Sequence, residues 1–163
     1  MIILGVIHLK GLPGSPSNKL NLEEITELAQ NDIDNLSKAG VNGIIVENFG
    51  DVPFVKNDVS KRTVASLTSV IQNLNIDSKL KLGVNVLRND GIAALSIAEA
   101  TNADFVRINV LNNVMMFTDQ GIIEGEANKI AEFNKSLNKD IEIFADVFVK
   151  HAVPPEGSKI ENH

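Results

Sequence analysis

The sequence predicts an α/β fold: a partial (β/α)8 TIM barrel of about five β/α units, with a parallel sheet and helical crossovers. Short apolar segments typical of buried strands alternate strictly with segments whose apolar residues recur at helical spacing. Each unit takes roughly 30 residues, which matches a full barrel of about 250 residues. A five-stranded open sheet is the alternative. The end of the sequence inside a helix-like segment favours a barrel cut after its fifth strand.

Five segments are predicted as strands, because each is a short apolar run bounded by polar or glycine-containing stretches. Along each run, one set of alternate residues is fully apolar and suits packing under helices. The predicted strands cover residues 2–9, 41–46, 79–87, 103–110 and 140–149.

Helix starts are predicted from residues that cap the first turn. Asn21 has the residue type of an N-cap, and the first helix follows it and closes at Gly40. The second helix starts at Asp58 or Ser60. Asp90 caps the third helix, which is rich in alanine and runs to residue 99.

The remainder of the chain is less regular. Residues 112–121 are predicted as an irregular loop with room for a short hairpin, and residues 123–137 as the fourth helix. After the fifth strand, the segment HAVPPEG is a loop, and from Ser158 the sequence predicts the start of another helix.

Composition limits the classes of function. The 163 residues suffice for a single domain covering 1–163, with 44% hydrophobic and 22% charged residues. The net charge is −6 and no Lys/Arg cluster occurs, so no nucleic-acid partner is expected. The chain has no cysteine, which excludes disulfides, thiolate zinc sites and a cysteine nucleophile.

No targeting signal or membrane anchor is predicted. The first ten residues lack a basic region and a cleavage site, their apolar run is too short to span a bilayer, and no lipidation motif occurs. We therefore expect a cytoplasmic protein without a direct membrane anchor.

Polar side chains gather where the predicted strands end. Side chains alternate along a strand, and the second face of each strand becomes polar toward its carboxyl end. In parallel α/β proteins these ends and the loops after them hold the site. We expect one shared mouth, lined by His8, Glu47, Asn85, Arg107, Asn109, Asp146 and Lys150.

This set favours a functional site, because unpaired charges in an interior are costly. Glu47 and Asp146 are predicted as general acid/base groups, since two carboxylates in different environments can divide those roles. Arg107 and Lys150 would hold an anion or stabilise a developing negative charge, and Lys150 alternatively forms a Schiff base. An internal ion-pair network without chemistry is the competing interpretation. Substrate orientation is assigned to Asn48, Asn85 and Asn109.

Three further residues are candidates for substrate binding. Arg88 is a fork donor for an anion, although the residues after it also suit a helix start. Asp119 lies in the loop after the fourth strand, where a turn is the alternative. His151 is a base or ligand, or a loop residue. No metal site is predicted, because no ligand spacing demands one, and the cofactor stays open. The segment GLPGSP contains no nucleotide-binding pattern.

Six segments of the chain carry a family resemblance. They are HLKGLPGSP (8–16), GIIVENFGDVPF (43–54), GVNVLRND (83–90), FVRINV (105–110), TDQGIIEG (118–125) and ADVFVKHA (145–152). On these segments, which occur in order over nearly the whole chain, the protein resembles the BtpA/SgcQ family. ENFGDVPF and NVLRND are the most distinctive.

The resemblance implies a TIM barrel related to the phosphate-binding barrels. It also implies links with photosystem I biogenesis in cyanobacteria and with sugar or nucleoside metabolism in bacterial relatives. Members have about 250 residues or more, so the chain is expected to be C-terminally truncated and to lack strands six to eight. A second copy, a partner chain or the lost residues would have to cover the incomplete barrel.

Two classes of function follow. The first is an enzyme acting at the strand mouth on a small anionic substrate, phosphorylated and sugar-like or nucleoside-like. The second is a non-catalytic assembly or stability factor for a membrane complex. An inactive truncated fragment is a further possibility.

Overall fold

The computed structural model describes residues 1–112, 114–117, 120–150, 152–154 and 156–157, with the backbone alone for 114–117. Five strands form one parallel sheet in the order β1-β2-β3-β4-β7. Their bounds are β1 Leu4–His8, β2 Gly43–Glu47, β3 Lys81–Asn85, β4 Phe105–Ile108 and β7 Glu142–Ala145.

Helices connect the successive strands of this sheet. Apolar residues of all four helices join one core with alternate residues of the strands. The helices are α1 Leu22–Lys38, α2 Lys61–Gln72, α3 Gly91–Thr101 and α4 Ala127–Ser136. The predicted α/β class, with a parallel sheet and helical crossovers, is therefore confirmed.

The strand order distinguishes a barrel from an open sheet. A doubly wound sheet reverses its strand order and carries helices on both faces. Here spatial order follows chain order, and the helices pack on the face that holds Ile7, Ile44, Val84 and Val106. This is the arrangement of a partial (β/α)8 barrel, with the second face of the sheet turned toward the barrel interior.

The predicted helix starts are confirmed where a capping residue marks them. Asn21 accepts a hydrogen bond from the backbone of Glu24, whose side chain accepts one from the Asn21 backbone in return. Ser60, rather than Asp58, caps α2. Asp90 caps α3 through the Ala93 amide, and its second carboxylate oxygen accepts from Val59 N.

The region after β4 corrects two boundaries. The fourth helix was predicted from residue 123 but begins at Ala127, because Ile123 belongs to strand β6, Gly121–Glu124. This strand pairs antiparallel with β5, Val114–Phe117, so the short hairpin is confirmed. Isoleucines in GIIEG suit a strand as well as a helix, and the hairpin partner decides between them.

The fifth parallel strand is shorter than predicted, Glu142–Ala145 instead of 140–149. Strand β4 ends at Ile108, and the ladder with β7 ends with it. The following chain returns toward the hairpin as β8, Ala152–Val153, which pairs with β5 and completes a three-stranded antiparallel sheet. Val110, Ile123 and Val149 form a small separate core there.

Candidate active site

The sheet register places three site residues side by side. His8 at the end of β1 pairs with Glu47 at the end of β2, and Glu47 pairs with Asn85 at the end of β3. Residues paired in a parallel sheet lie on the same face, so these side chains share the interior side of the barrel arc. The predicted convergence of strand ends is present for these residues.

Arg107 of β4 is fixed by Asp146, which follows β7. The guanidinium donates from Nε to Asp146 Oδ1 at 2.9 Å and from Nη2 to Oδ2 at 2.8 Å. This is the two-point geometry in which arginine binds a carboxylate most strongly. The hydrogen bonds that Arg107 donates to Asp146 raise the pKa of Arg107. The Arg107 guanidinium, predicted to hold a substrate anion, thus binds a carboxylate of the chain itself.

Glu47 is the buried acid of the mouth. Its side chain is 5% exposed, with Oε2 3.4 Å from Arg107 Nη1 and Oε1 3.8 Å from His8 Nε2. Burial raises the pKa of Glu47 above its ordinary value, although Arg107, His8 and Arg88 act in the opposite direction. Glu47 therefore has the environment of a group that holds a proton more readily than an exposed glutamate does.

Two amides connect β3 and the end of β4 beside these charges. Asn109 donates from Nδ2 to Asp146 Oδ2 at 3.2 Å, and its Oδ1 accepts from Asn85 Nδ2 at 3.2 Å. Asn85 Nδ2 also donates to the backbone oxygen of Arg107 at 3.1 Å. Both side chains are buried. They hold the ion pair in place and are themselves fixed by it.

Two aromatic rings lie next to these polar groups on the interior face of β4 and β7. Phe105 and Phe144 stack with ring centroids 4.6 Å apart. Gly83 makes room for them, because a Cβ at that position would overlap the Phe105 ring. Phe105 is buried, whereas Phe144 and Val6, at the two edge strands, remain partly exposed on the interior side. These rings place apolar surface next to the charged groups on the interior face of the sheet.

A row of flat side chains borders the mouth on the side of β1 to β3. The His8 ring stacks on Phe49 at 4.2 Å, Phe49 meets Phe54 edge-on at 6.3 Å, and the Arg88 guanidinium lies 4.5 Å from the Phe54 ring centroid. Arg88 also donates to Gln120 Oε1 at 3.3 Å. Phe49 and Phe54 are not among the site residues predicted from the sequence, although both lie in the distinctive segment ENFGDVPF.

Asn48 is turned away from the Glu47 group. Its Oδ1 accepts from the Leu87 backbone nitrogen at 2.7 Å, and its Nδ2 donates to Asp51 Oδ2 at 3.1 Å. Asp51 in turn accepts from Leu12 N at 2.7 Å, and burial raises the pKa of Asp51. Asn48 thus connects the loops after β1, β2 and β3.

Asn89 makes the equivalent connection one strand further along. It donates to Val110 O at 2.9 Å and accepts from Val110 N at 2.8 Å, joining the loops after β3 and β4. The sequence leaves Asn89, next to Arg88, open between an anion contact and a helix start. The sequence shows that an asparagine follows the end of β3. It does not show that this asparagine will bond to a loop 21 residues further along the chain.

Lys150 is exposed in a turn beyond β7, outside the network around Arg107. Asp119 and His151 fall outside the described residues. Within the described ranges, no group of three or more histidine or acidic side chains is arranged to hold a metal ion. Of the helices that the structure describes, none is long and apolar enough to cross a membrane.

The group formed by His8, Glu47, Asn85, Arg107, Asn109 and Asp146 defines the candidate active site, which we call the mouth network. It holds two carboxylates in different environments: Asp146 is neutralised by a fork donor, and Glu47 is buried beside the edge of the same guanidinium. Such a difference allows proton transfer by Glu47 while Asp146 stays fixed.

Comparison with known proteins adds a family and its relatives. The family model described as the BtpA family matches residues 1–163. An uncharacterised protein of Thermococcus kodakarensis is 52% identical over 93% of this chain and 57% of its own length. The photosystem I biogenesis protein BtpA of Synechocystis is 44% identical over 93% of this chain and 53% of its own length.

The similarity extends to a eukaryote. An uncharacterised mitochondrial protein of Caenorhabditis elegans is 32% identical over 99% of this chain and 60% of its own length. The chain thus spans little more than half the length of these relatives. No solved structure matches it.

Proposed function

This chain belongs to the BtpA family, and we propose that it forms part of a barrel enzyme with Glu47 as the proton-transferring group. The supporting observation is the environment of Glu47: a carboxyl group 5% exposed at the end of a barrel strand, with a raised pKa and with Oε1 3.8 Å from Nε2 of the half-exposed His8. General acid/base groups tuned by burial are typical of such positions.

The proposed substrate is small and sugar-like or nucleoside-like. The row of His8, Phe49 and Phe54 beside Glu47 offers flat, weakly polar surface to a sugar or base ring. Phosphate on the substrate would find its cation in Lys150 or Arg88 rather than in Arg107, whose fork is engaged by Asp146. Helix N-termini at the same end of the sheet offer further amide donors.

In the proposed barrel, the interior side of the five-stranded parallel sheet is covered by further structure. Val6 on β1 and Phe144 on β7 are about 40% exposed there, at the two edges of the parallel sheet. We propose that further β/α units, a second copy or a partner chain cover them, as the greater length of the relatives suggests. The chain has no cysteine, which suits the cytoplasmic location that we propose.

A ligand screen tests the enzymatic proposal. The wild-type protein is exposed to sugar phosphates, free sugars and nucleosides, thermal shift reports binding, and mass spectrometry of the mixture reports turnover. We expect at least one compound to bind and to be consumed. In Glu47→Gln, turnover of that compound should fall by about 10²–10⁴-fold while binding persists. Lys81→Met, at the opposite end of β3, is the control and should leave turnover unchanged.

A second candidate is an assembly or stability factor for a membrane complex. Its support is the name of the Synechocystis relative, a photosystem I biogenesis protein. This role has no need of proton transfer at Glu47. If no compound of the screen binds, and Glu47→Gln restores a deletion phenotype as well as the wild-type gene does, the assembly role replaces the enzymatic one.

A further inference from the structure

Among the residues that the structure describes, none donates a hydrogen bond to the side-chain oxygen of Asn85. Asn85 is fully buried, and both contacts of its amide group use Nδ2, which donates to Arg107 O at 3.1 Å and to Asn109 Oδ1 at 3.2 Å. Oδ1 is buried with no partner among the described residues. A buried acceptor without a donor is rare, because it loses its bond to water without replacement. A neighbouring O–H or N–H group that donates to Oδ1 would remove this cost.

The orientation of the Asn85 amide is fixed by the network. The Asp146 carboxylate can only accept, so the Asn109 nitrogen faces Asp146 and the Asn109 oxygen faces Asn85. The Arg107 backbone oxygen can also only accept. Exchanging the two ends of the Asn85 amide would set oxygen against two acceptors. Nδ2 is therefore on the β4 side, and Oδ1 is left for the side of β2.

The residue paired with Asn85 on β2 is Glu47. The other donors nearby are directed elsewhere: Asn109 Nδ2 toward Asp146, and the Arg107 guanidinium toward Asp146 and Glu47. An ionised Glu47 would only add another acceptor beside Oδ1. A protonated Glu47 has an O–H group that can donate to it.

We infer that Glu47 rests as a neutral carboxylic acid whose O–H group donates to Asn85 Oδ1, with Asn85 as the positioning residue for that proton. The charges agree with this state. The mouth network contains two carboxylates and one guanidinium, so Asp146 and Arg107 neutralise each other and a charged Glu47 would be in excess.

Four charged or titratable groups act on Glu47 from the surrounding elements. His8 on β1, Arg107 on β4 and Arg88 after β3 favour its ionised form, whereas Asp146 after β7 favours the neutral one. Burial outweighs the three favourable groups and raises the pKa of Glu47. The unpartnered Asn85 oxygen points to the same neutral state on separate, geometric grounds.

The consequence for mechanism rests on the proposed function. Glu47 would begin the reaction as an acid: the proton leaves its carboxyl oxygen for an oxygen of the substrate, and the resulting carboxylate faces Arg107 Nη1. Asp146 would remain ionised and act as a positioning residue for Arg107. This selects substrates whose reacting oxygen must be protonated first, such as a leaving hydroxyl or a glycosidic oxygen.

The test is a carbon-13 NMR titration of the glutamate carboxyl groups in the intact protein, with Glu47 assigned by its absence in Glu47→Gln. In the wild type, the Glu47 midpoint should lie above the ordinary value of about 4.5. Asn85→Leu should lower it by about one unit, because the acceptor of the neutral form is lost. The matched control is Asn89→Leu, because Asn89 is also a buried amide but bonds to Val110. This change should leave the Glu47 midpoint unchanged.

A midpoint that is unchanged or higher in Asn85→Leu would overturn the inference, since leucine keeps the site buried and burial alone can only raise the midpoint. If Asn85→Leu does not fold, Glu47→Gln decides. Its carboxamide mimics the neutral acid, so one of its two protons should be protected from solvent exchange by Asn85 Oδ1. Two freely exchanging protons would overturn the inference. The titration needs no substrate, so its failure would leave a Glu47-dependent enzyme standing, with Glu47 as base.

Discussion

The two faces of the parallel sheet are built from alternate residues of the same strands, yet different interactions hold them. On the helix side, Ile7, Ile44, Val84 and Val106 are completely buried among helix residues. On the interior side, the same strands end in the hydrogen-bonded ions and amides of the mouth network. The helix side needs only shape and apolar area, whereas the interior side needs every polar atom to be satisfied. The helix side therefore holds the main apolar core, and the interior side holds the candidate active site.

The largest effect is expected from truncation on the helix side. Ile44→Ala should lower the free energy of unfolding by about 4 kcal/mol, because it leaves a cavity in the main core. Val6→Ala, on the interior face of the neighbouring strand and 39% exposed, is the matched change and should lower it by less than about 1 kcal/mol. Chemical denaturation measures both. Equal losses would show that the two faces do not differ in packing.

Loss of the central cation should be nearly as costly. Arg107→Met leaves Asp146 and Glu47 close together without their shared donor, and should lower the free energy of unfolding by about 3 kcal/mol. The control is Lys81→Met, which removes a shorter but exposed ion pair, 2.6 Å to Asp104, and should change the free energy of unfolding far less than Arg107→Met does. If the two variants are equally stable at pH 7.5, the mouth network makes no more than a surface contribution.

The loop connection through Asn48 is expected to contribute less. Asn48→Ala leaves the buried Leu87 amide without its acceptor, and should lower the free energy of unfolding by about 2 kcal/mol. Asn42 makes a similar bond of 2.8 Å to the Ile3 amide at an exposed position, so Asn42→Ala should have an effect below about 1 kcal/mol. An Asn48→Ala protein as stable as Asn42→Ala would show that water replaces the lost bond.

The sequence predicts the helix side better than the interior side, for a physical reason. Apolar spacing and the caps Asn21, Ser60 and Asp90 act within a few residues, so they are visible in the sequence. The alternation within strands also indicates which polar residues share the mouth. It does not show that Asp146 occupies the fork of Arg107, 39 residues away in the chain. It also does not show that Asn48 accepts a hydrogen bond from the Leu87 backbone, since a side chain at a strand end can turn toward several loops.

The hairpin region shows a second limit. The Ile122–Ile123 pair is compatible with either helix or strand, and the backbone of β5 decides in favour of the strand. The aromatic border of Phe49 and Phe54 was also missed as a site feature, because exposed and buried phenylalanines look alike in a sequence. Both failures arise where tertiary contacts override local preference.

As a buried acid, Glu47 would reduce the stability of the fold once it ionises. Its raised pKa means that its contribution to folding is fully present below about pH 4.5 and is lost as the pH rises through the folded-state value. The most direct test is denaturation of wild type and Glu47→Gln from pH 4.5 to 8. The stability of Glu47→Gln relative to wild type should rise across this range, by about 1.4 kcal/mol for each unit by which the pKa is raised. A stability difference between the two proteins that stays constant or falls with pH would contradict a buried, neutral Glu47.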